Sequence, residues 1–179
     1  MLIRAAGIAN RRGVQVQLSI VGVGAPEYMQ SLEDLIASED VGEFVSLDGP
    51  VDSSAVSAAY TRGHLGLALY ESHDPGNDSL SNKIIETVAS GRPVLAGDLP
   101  ENHGFVTQLS VGWLTDVDEV AIADALQRID ELGFAHLRAL AVHCHEVSQE
   151  SLVWEREFEP VVSAVMSLRE RKSSQSGAK

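Results

Sequence analysis

The chain has 179 residues, 44% apolar and 22% charged, enough for one domain with a core of its own and too few for two full ones. A net charge of −13 and a pI of about 4.7 argue against nucleic acid or an anionic membrane as the main partner. Cys144 is the single cysteine, so neither an internal disulfide nor a cysteine zinc site can form, and no apolar run approaches the roughly 20 residues of a membrane span.

Leu2 to Arg12 carries Leu2, Ile3, Ala6 and Ile8-Ala9 at helical spacing, with arginines at the C-terminal end where the helix dipole favours them. An apolar stretch followed by arginines is the reverse of a secretory signal, so a cytoplasmic location is expected. Val14 to Val21 alternates and then becomes wholly apolar, as a strand entering a buried sheet does. Gly22-Val23-Gly24 turns into Pro26 and a second amphipathic helix, Glu27 to Ala37. Phe44 to Leu47 reads as a short strand ending at Asp48-Gly49-Pro50. Asp52 or Ser53 can cap a third helix running to Thr61, and Leu65 to Tyr70 is a continuous apolar strand.

A loop rich in Asp, Gly and Pro leads to Ser79-Leu80-Ser81, where a serine hydroxyl can accept from the free N–H groups of a helix's first turn. The helix that follows has Ile84, Ile85, Val88 and Ala89 as its expected buried face, leaving Lys83, Glu86 and Ser90 outward. Gly91 stops it, and Pro93 opens the apolar run Val94-Leu95-Ala96. Asp98 to Gly104 reads as a loop and Val111 to Leu114 as an edge strand. Asp116 or Asp118 caps a helix with Val120, Ile122, Leu126 and Ile129 on one face, and Gly133 breaks it. A helix from Ala135 to Val147 turns Leu137, Leu140, Ala141 and Cys144 inward. A last helix, Ser151 to Arg171, aligns Trp154, Phe158, Val161, Val165 and Leu168 in one stripe. Alternating strands and helices with buried strands predict a single doubly wound, Rossmann-like parallel α/β domain over residues 1–150. A C-terminal helix over 151–172 is expected to pack on it, followed by a disordered tail over 173–179.

In such folds ligands bind beyond the carboxyl ends of the strands. Four loops qualify: 22–24, 48–51, 71–81 and 97–104. Gly22-x-Gly24 lacks the third glycine and the downstream acid of a dinucleotide fingerprint, and by itself is as consistent with a tight turn. Asp48-Gly49-Pro50, judged locally, is a turn. His143-x-His145 lies in a helix, where i and i+2 point apart, so no metal is expected there. The sequence has no Gly-x-Ser-x-Gly or Walker motif. The helix after Ser81 is the stronger candidate: its first turn aims unpaired N–H groups and the positive dipole end at an anion, with Lys83 at hand.

The stretch SLSNKIIETVASGRPVLAGDLPE resembles the donor-site region of GT-B glycosyltransferases, in particular the retaining glycosyltransferase family 4. That family carries an acid, seven residues, a glutamate, a helix end of small residues and Gly-x-Pro-Val. Here Asp78, Glu86 and Gly91-Arg92-Pro93-Val94 stand in those places. LSIVGVG, FVSLDGPV, AAYTRGHLGLALY and SLVWEREFEPVV match in the same order, so the likeness runs from Leu2 to Val162.

The resemblance implies the donor-binding, C-terminal half of a GT-B enzyme that transfers a hexose from a UDP- or GDP-linked sugar, without cofactor or protein-bound metal. Glu86 would accept from the ribose hydroxyls, and Asp78 would be the catalytic carboxylate against the hydroxyls of the transferred sugar. The backbone of Ser79, Leu80 and Ser81, assisted by Lys83, would hold the pyrophosphate. Gly22 and Gly24 belong to the same donor cleft, and Gly49, Pro50 and Val51 would lie beside the base. The family's first acid is usually glutamate, one methylene longer than Asp78. The family also has an N-terminal acceptor domain and a first strand ahead of the point matching Leu2. That strand would lie between Val14–Val21 and Leu65–Tyr70, so the sheet is expected to be incomplete there, to be closed by collapse, a separate acceptor-domain protein or self-association. By itself the chain is then expected to bind a nucleotide sugar without transferring it. The alternatives are a non-catalytic binding or assembly module and a nucleotide-sugar epimerase-like domain.

Overall fold

The computed structural model describes residues 1–70, 79–153 and 158–168. Asp78 and Trp154 therefore lie outside the described residues. The elements alternate as α1 (Leu2–Arg11), β1 (Leu18–Val21), α2 (Pro26–Ser38), β2 (Val45–Gly49), α3 (Val56–Arg62), β3 (Gly66–Ala68), α4 (Asn82–Ala89), β4 (Val94–Gly97), α5 (Pro100–Leu109), β5 (Gly112–Thr115), α6 (Glu119–Glu131) and α7 (Gly133–Ser151). Every described strand pair is parallel, as the doubly wound reading requires.

The strands form a pair, β1-β2, and a triplet, β3-β4-β5. β1 and β3 share no ladder, so the sheet is interrupted at the place expected for a missing strand. Side chains cross the break where backbone does not, since Val16 and Leu67 pack against both of the flanking apolar clusters. α1 spans it as well. Its Ala5 and Ala9 pack with Leu95 of β4 and with Ile122 and Leu126 of α6, while Ile3 and Ala6 pack with Leu18, Val41 and Val45. Small residues make this double contact possible, because alanine lets a helix approach two neighbours closely.

Side-chain alternation along β4 builds the two layers. Leu95 points to α1 and α6, whereas Val94 and Ala96 point to Ile84 and Val88 of α4, Val106 of α5 and Cys144 of α7. Leu95, Ile84 and Ile122 are completely buried, and each such side chain contributes about 1.5–3 kcal/mol of transfer free energy. The β1-β2 pair is covered on one face only. Leu18 and Val45 are buried beside α1, while Ser19, Ser46 and Asp48 are exposed.

Three local expectations are corrected. β1 begins at Leu18, and Val14 to Gln17 approach it as irregular chain, with Asn10 Nδ2 donating to the Val16 carbonyl at 3.1 Å. On α4 the buried residues are Ile84, Thr87 and Val88, whereas Ala89 is exposed. Thr87 tolerates burial because its hydroxyl donates to the Lys83 carbonyl at 2.6 Å. The stretch read as a loop over 98–104 contains the start of α5. Pro100 occupies the first turn, where its missing N–H costs nothing, and the buried Asn102 donates to the Gly97 carbonyl at 3.1 Å.

Residues 158–168 are helical, and Phe158, Val161, Val165 and Leu168 are exposed. No described helix is long and apolar enough to cross a membrane.

Of the two acids proposed to cap α6, Asp118 does so. One carboxylate oxygen accepts from the backbone N–H of Val120 at 2.9 Å and of Ala121 at 2.8 Å. Asp118→Ala should therefore cost about 1 kcal/mol in urea unfolding, and an unchanged midpoint would show the cap to be idle. Cys144 is fully buried with its thiol against the Val111 carbonyl, and burial pushes its pKa up to about 12 from 9.0. Below pH 9 the thiol is neutral in both folded and unfolded chains; between pH 9 and 12 only the unfolded chain ionises, so stability falls with rising pH in that window. At pH 8 the native thiol should react with iodoacetamide about a thousandfold more slowly than in urea. Comparable rates would contradict its burial.

Candidate functional site

The carboxyl ends of the strands bring the expected residues into two groups. At the ends of β1 and β2, the Gly22 N–H donates to the Gly49 carbonyl at 2.8 Å. Gly49 has φ +70, a conformation that side chains disfavour, and this lets the chain turn into Pro50 and Val51. The two glycine-containing loops thus meet, although the Gly22 amide is committed to the protein. Gly24 sits against Tyr28, whose ring carbon lies 2.8 Å from where a β-carbon would be. Next to Gly49, Asp48 accepts from Ser19 across the strand pair, and hydrogen bonds from Ser19 and then Ser46 hold its carboxyl below the usual range.

The second group lies where the chain beyond β3 enters α4. Ser81 is the N-cap: its hydroxyl accepts from the Lys83 N–H at 3.3 Å, in keeping with the capping expected of this segment. Ser79 is exposed, whereas Leu80 packs its side chain against the core cluster of β4, α4 and α7, leaving its backbone as the part able to meet a ligand. Lys83 and Glu86 are both exposed, one helical turn apart. Among the described residues no salt bridge engages either one.

Two tyrosines that the sequence analysis did not single out join this group. Tyr70, just beyond β3, accepts a hydrogen bond from Lys83 Nζ, and the ammonium also lies 4.6 Å from the centre of its ring. Tyr60, on α3, is half-buried; burial pushes its phenol pKa up, while a hydrogen bond with Thr87 opposes the shift. Smaller influences on the Tyr60 phenol come from Glu86 and Tyr70, which raise its pKa, and from Lys83, which lowers it. α3 is fastened to α4 by Ser90 donating to Ser57 at 3.0 Å. Arg92 adds to this from the following turn, donating to the carbonyls of Gly63 at 2.7 Å and Thr61 at 2.8 Å. The only sequence signal for the tyrosines was their position, one near the end of the third helix and one closing an apolar strand.

A third feature lies at the same end of the triplet. Beyond β4, His103 Nδ1 is 2.7 Å from Asp98 Oδ1, and both are exposed. Among the described residues the edge offers the Lys83 ammonium, the Glu86 carboxylate and the Tyr70 phenol on and beside α4, a combination able to bind a polar ligand carrying both hydroxyls and anionic oxygens.

Comparison with solved structures supports the fold. Sucrose-phosphate synthase from Thermosynechococcus elongatus superposes with a TM-score of 0.71 at 23% identity, over 97% of this chain and 42% of that one. TarM of S. aureus gives a TM-score of 0.71 at 18% identity, over 90% of this chain and 31% of that one. HepE of Anabaena, solved in complex with UDP and glucose, gives 0.66 at 18% identity, over 96% and 44%. The chain thus spans less than half the length of each. No curated protein sequence matches it. The family model described as glycosyl transferases group 1 matches residues 1–131, taking in β1 to β5, the α4 segment and all but the last part of the fold. The fold is that of GT-B glycosyltransferases, and the chain belongs to the glycosyl transferases group 1 family.

Proposed function

We propose that this chain binds the nucleotide-sugar donor of a retaining hexosyltransferase, at the edge where β3 meets α4. The observation that carries this reading is the exposed Lys83–Glu86 pair on a Ser81-capped helix, inside the segment matched by the family. In this reading Glu86 is the acceptor for the ribose hydroxyls, a task that suits an exposed carboxylate with no ion-pair partner among the described residues. The start of α4 and Lys83 hold the diphosphate, whose charge the helix dipole and the ammonium both favour. Gly49, Pro50 and Val51 flank the base, and Asp78 meets the transferred sugar. The UDP in the HepE complex makes a uridine nucleotide the first ligand to try.

The donor site is one half of a transfer cleft, so the isolated chain is expected to bind without transferring, in a cytoplasmic enzyme. Calorimetric titration of the folded chain with UDP, UDP-glucose and GDP-mannose tests the reading. Saturable one-to-one binding of a uridine or guanosine nucleotide is expected, and a folded sample that binds none of the three sinks it.

The interruption between β1 and β3 favours a second statement about partners. A strand from a separate acceptor-domain protein, or from a second copy, would complete the ladder and remove two edges. Light scattering coupled to gel filtration should reveal self-association if the second copy supplies it, and a strictly monomeric chain would remove the second copy as the source.

A further inference from the structure

Lysine carries a compact charge on a four-carbon stem with many rotamers, so an exposed lysine is a poor ligand grip unless something fixes it. Lys83 is fixed. Its ammonium donates to the Tyr70 hydroxyl and rests 4.6 Å from the centre of the same ring. Tyr70 is itself anchored, half-buried against the cluster built from Ala68, Ile84, Val94 and their neighbours. The anchoring residue lies two positions beyond β3 and the lysine in the first turn of α4, so their contact sets the ammonium relative to the helix N-terminus.

The partner chosen also matters chemically. Glu86 stands at the i+3 position, within reach of a helical ion pair, yet Lys83 makes none with it. Among the described residues no acid pairs with Lys83, and a phenol is neutral, so resting on it adds no opposing charge and leaves two of the three N–H donors uncommitted to Tyr70. The Tyr70 oxygen acts as acceptor towards Lys83, which leaves its own O–H proton to be donated outward. One anionic group placed before α4 would then meet the ammonium, the phenol and the helix start together.

We infer that Tyr70 is a positioning residue of the donor site, holding Lys83 in place for the diphosphate of the nucleotide. The inference rests on the proposed function and adds to it a residue acting through another.

The test is calorimetric titration of UDP and of uridine into the wild-type chain and into Tyr70→Phe, Tyr70→Ala, Lys83→Ala and the Tyr70→Ala/Lys83→Ala double variant, with circular-dichroism melts to confirm folding. Tyr70→Ala should weaken UDP about tenfold, close to Lys83→Ala, and the double variant should be no weaker than Lys83→Ala alone. Tyr70→Phe, which keeps the ring and its packing, should lose about threefold and stays informative if Tyr70→Ala does not fold. Uridine, lacking the diphosphate, should bind all variants alike. Unchanged UDP affinity in the Tyr70 variants, equal losses for UDP and uridine, or losses that multiply in the double variant would overturn the inference. If Glu86→Ala weakens UDP while the Tyr70 variants do not, the inference falls and the donor site stands. If the folded wild-type chain binds neither ligand, both fall.

Discussion

Glu86→Ala should weaken binding of UDP to the folded chain by about 10- to 100-fold, because hydrogen bonds to a charged group are worth about 1.5–3 kcal/mol and the alanine leaves two ribose hydroxyls without their acceptor. Glu86→Gln should fall between the two, since an amide oxygen still accepts while the NH₂ group faces a donor. The fold should not notice either change, as Glu86 is exposed and its carboxylate enters no salt bridge among the described residues. Calorimetry with UDP, checked by thermal melts, separates binding from stability. Equal affinity in a folded Glu86→Ala variant would remove Glu86 from the site and leave the anion-binding start of α4 without its nucleoside anchor.

Gly112→Ala should cost about 3 kcal/mol of stability, a large share of the roughly 5–15 kcal/mol that holds a domain of this kind. Gly112 opens β5 directly opposite Val94 of β4. A β-carbon there would lie 1.9 Å from the Val94 carbonyl oxygen and 2.8 Å from its carbonyl carbon and nitrogen. The atoms in the way are backbone, so no rotamer change relieves the clash and the two strands must separate. Gly104 provides the control. It lies within α5, with nothing within 4 Å of its missing β-carbon, and Gly104→Ala should be neutral or stabilise by up to about 1 kcal/mol. Urea unfolding followed by circular dichroism measures both. A Gly112→Ala midpoint equal to that of the wild type would mean that β4 and β5 are not paired closely in solution.

The architecture was largely legible because it is written in local signals. Apolar runs at 65–70 and 94–96 and helical periodicity at 119–131 report faces, and a face needs only its own residues to be recognised. Ser81 and Asp118 are caps for the same reason: their partners are two or three residues away. α5 was missed because Pro100, Asn102 and Gly104 favour loops taken singly, yet Pro100 suits a first helical turn and Asn102 finds its acceptor at Gly97 only after the chain has folded. Thr87 was not among the residues expected inside; the carbonyl four residues back satisfies its hydroxyl and allows it there.

What the sequence by itself determined is therefore the alternation of strands and helices apart from α5, most of their inward residues, and the capped helix bearing Lys83 and Glu86. The tertiary structure decided which of these meet. It set Gly22 on Gly49, brought Tyr70 to Lys83, and left β1 and β3 unpaired while α1 bridges them. The reason is one of range. Periodicity and capping act within a few residues, whereas the Lys83–Tyr70 contact joins positions 13 apart and arises only when α4 folds back over the end of β3 and their shared core closes beneath them.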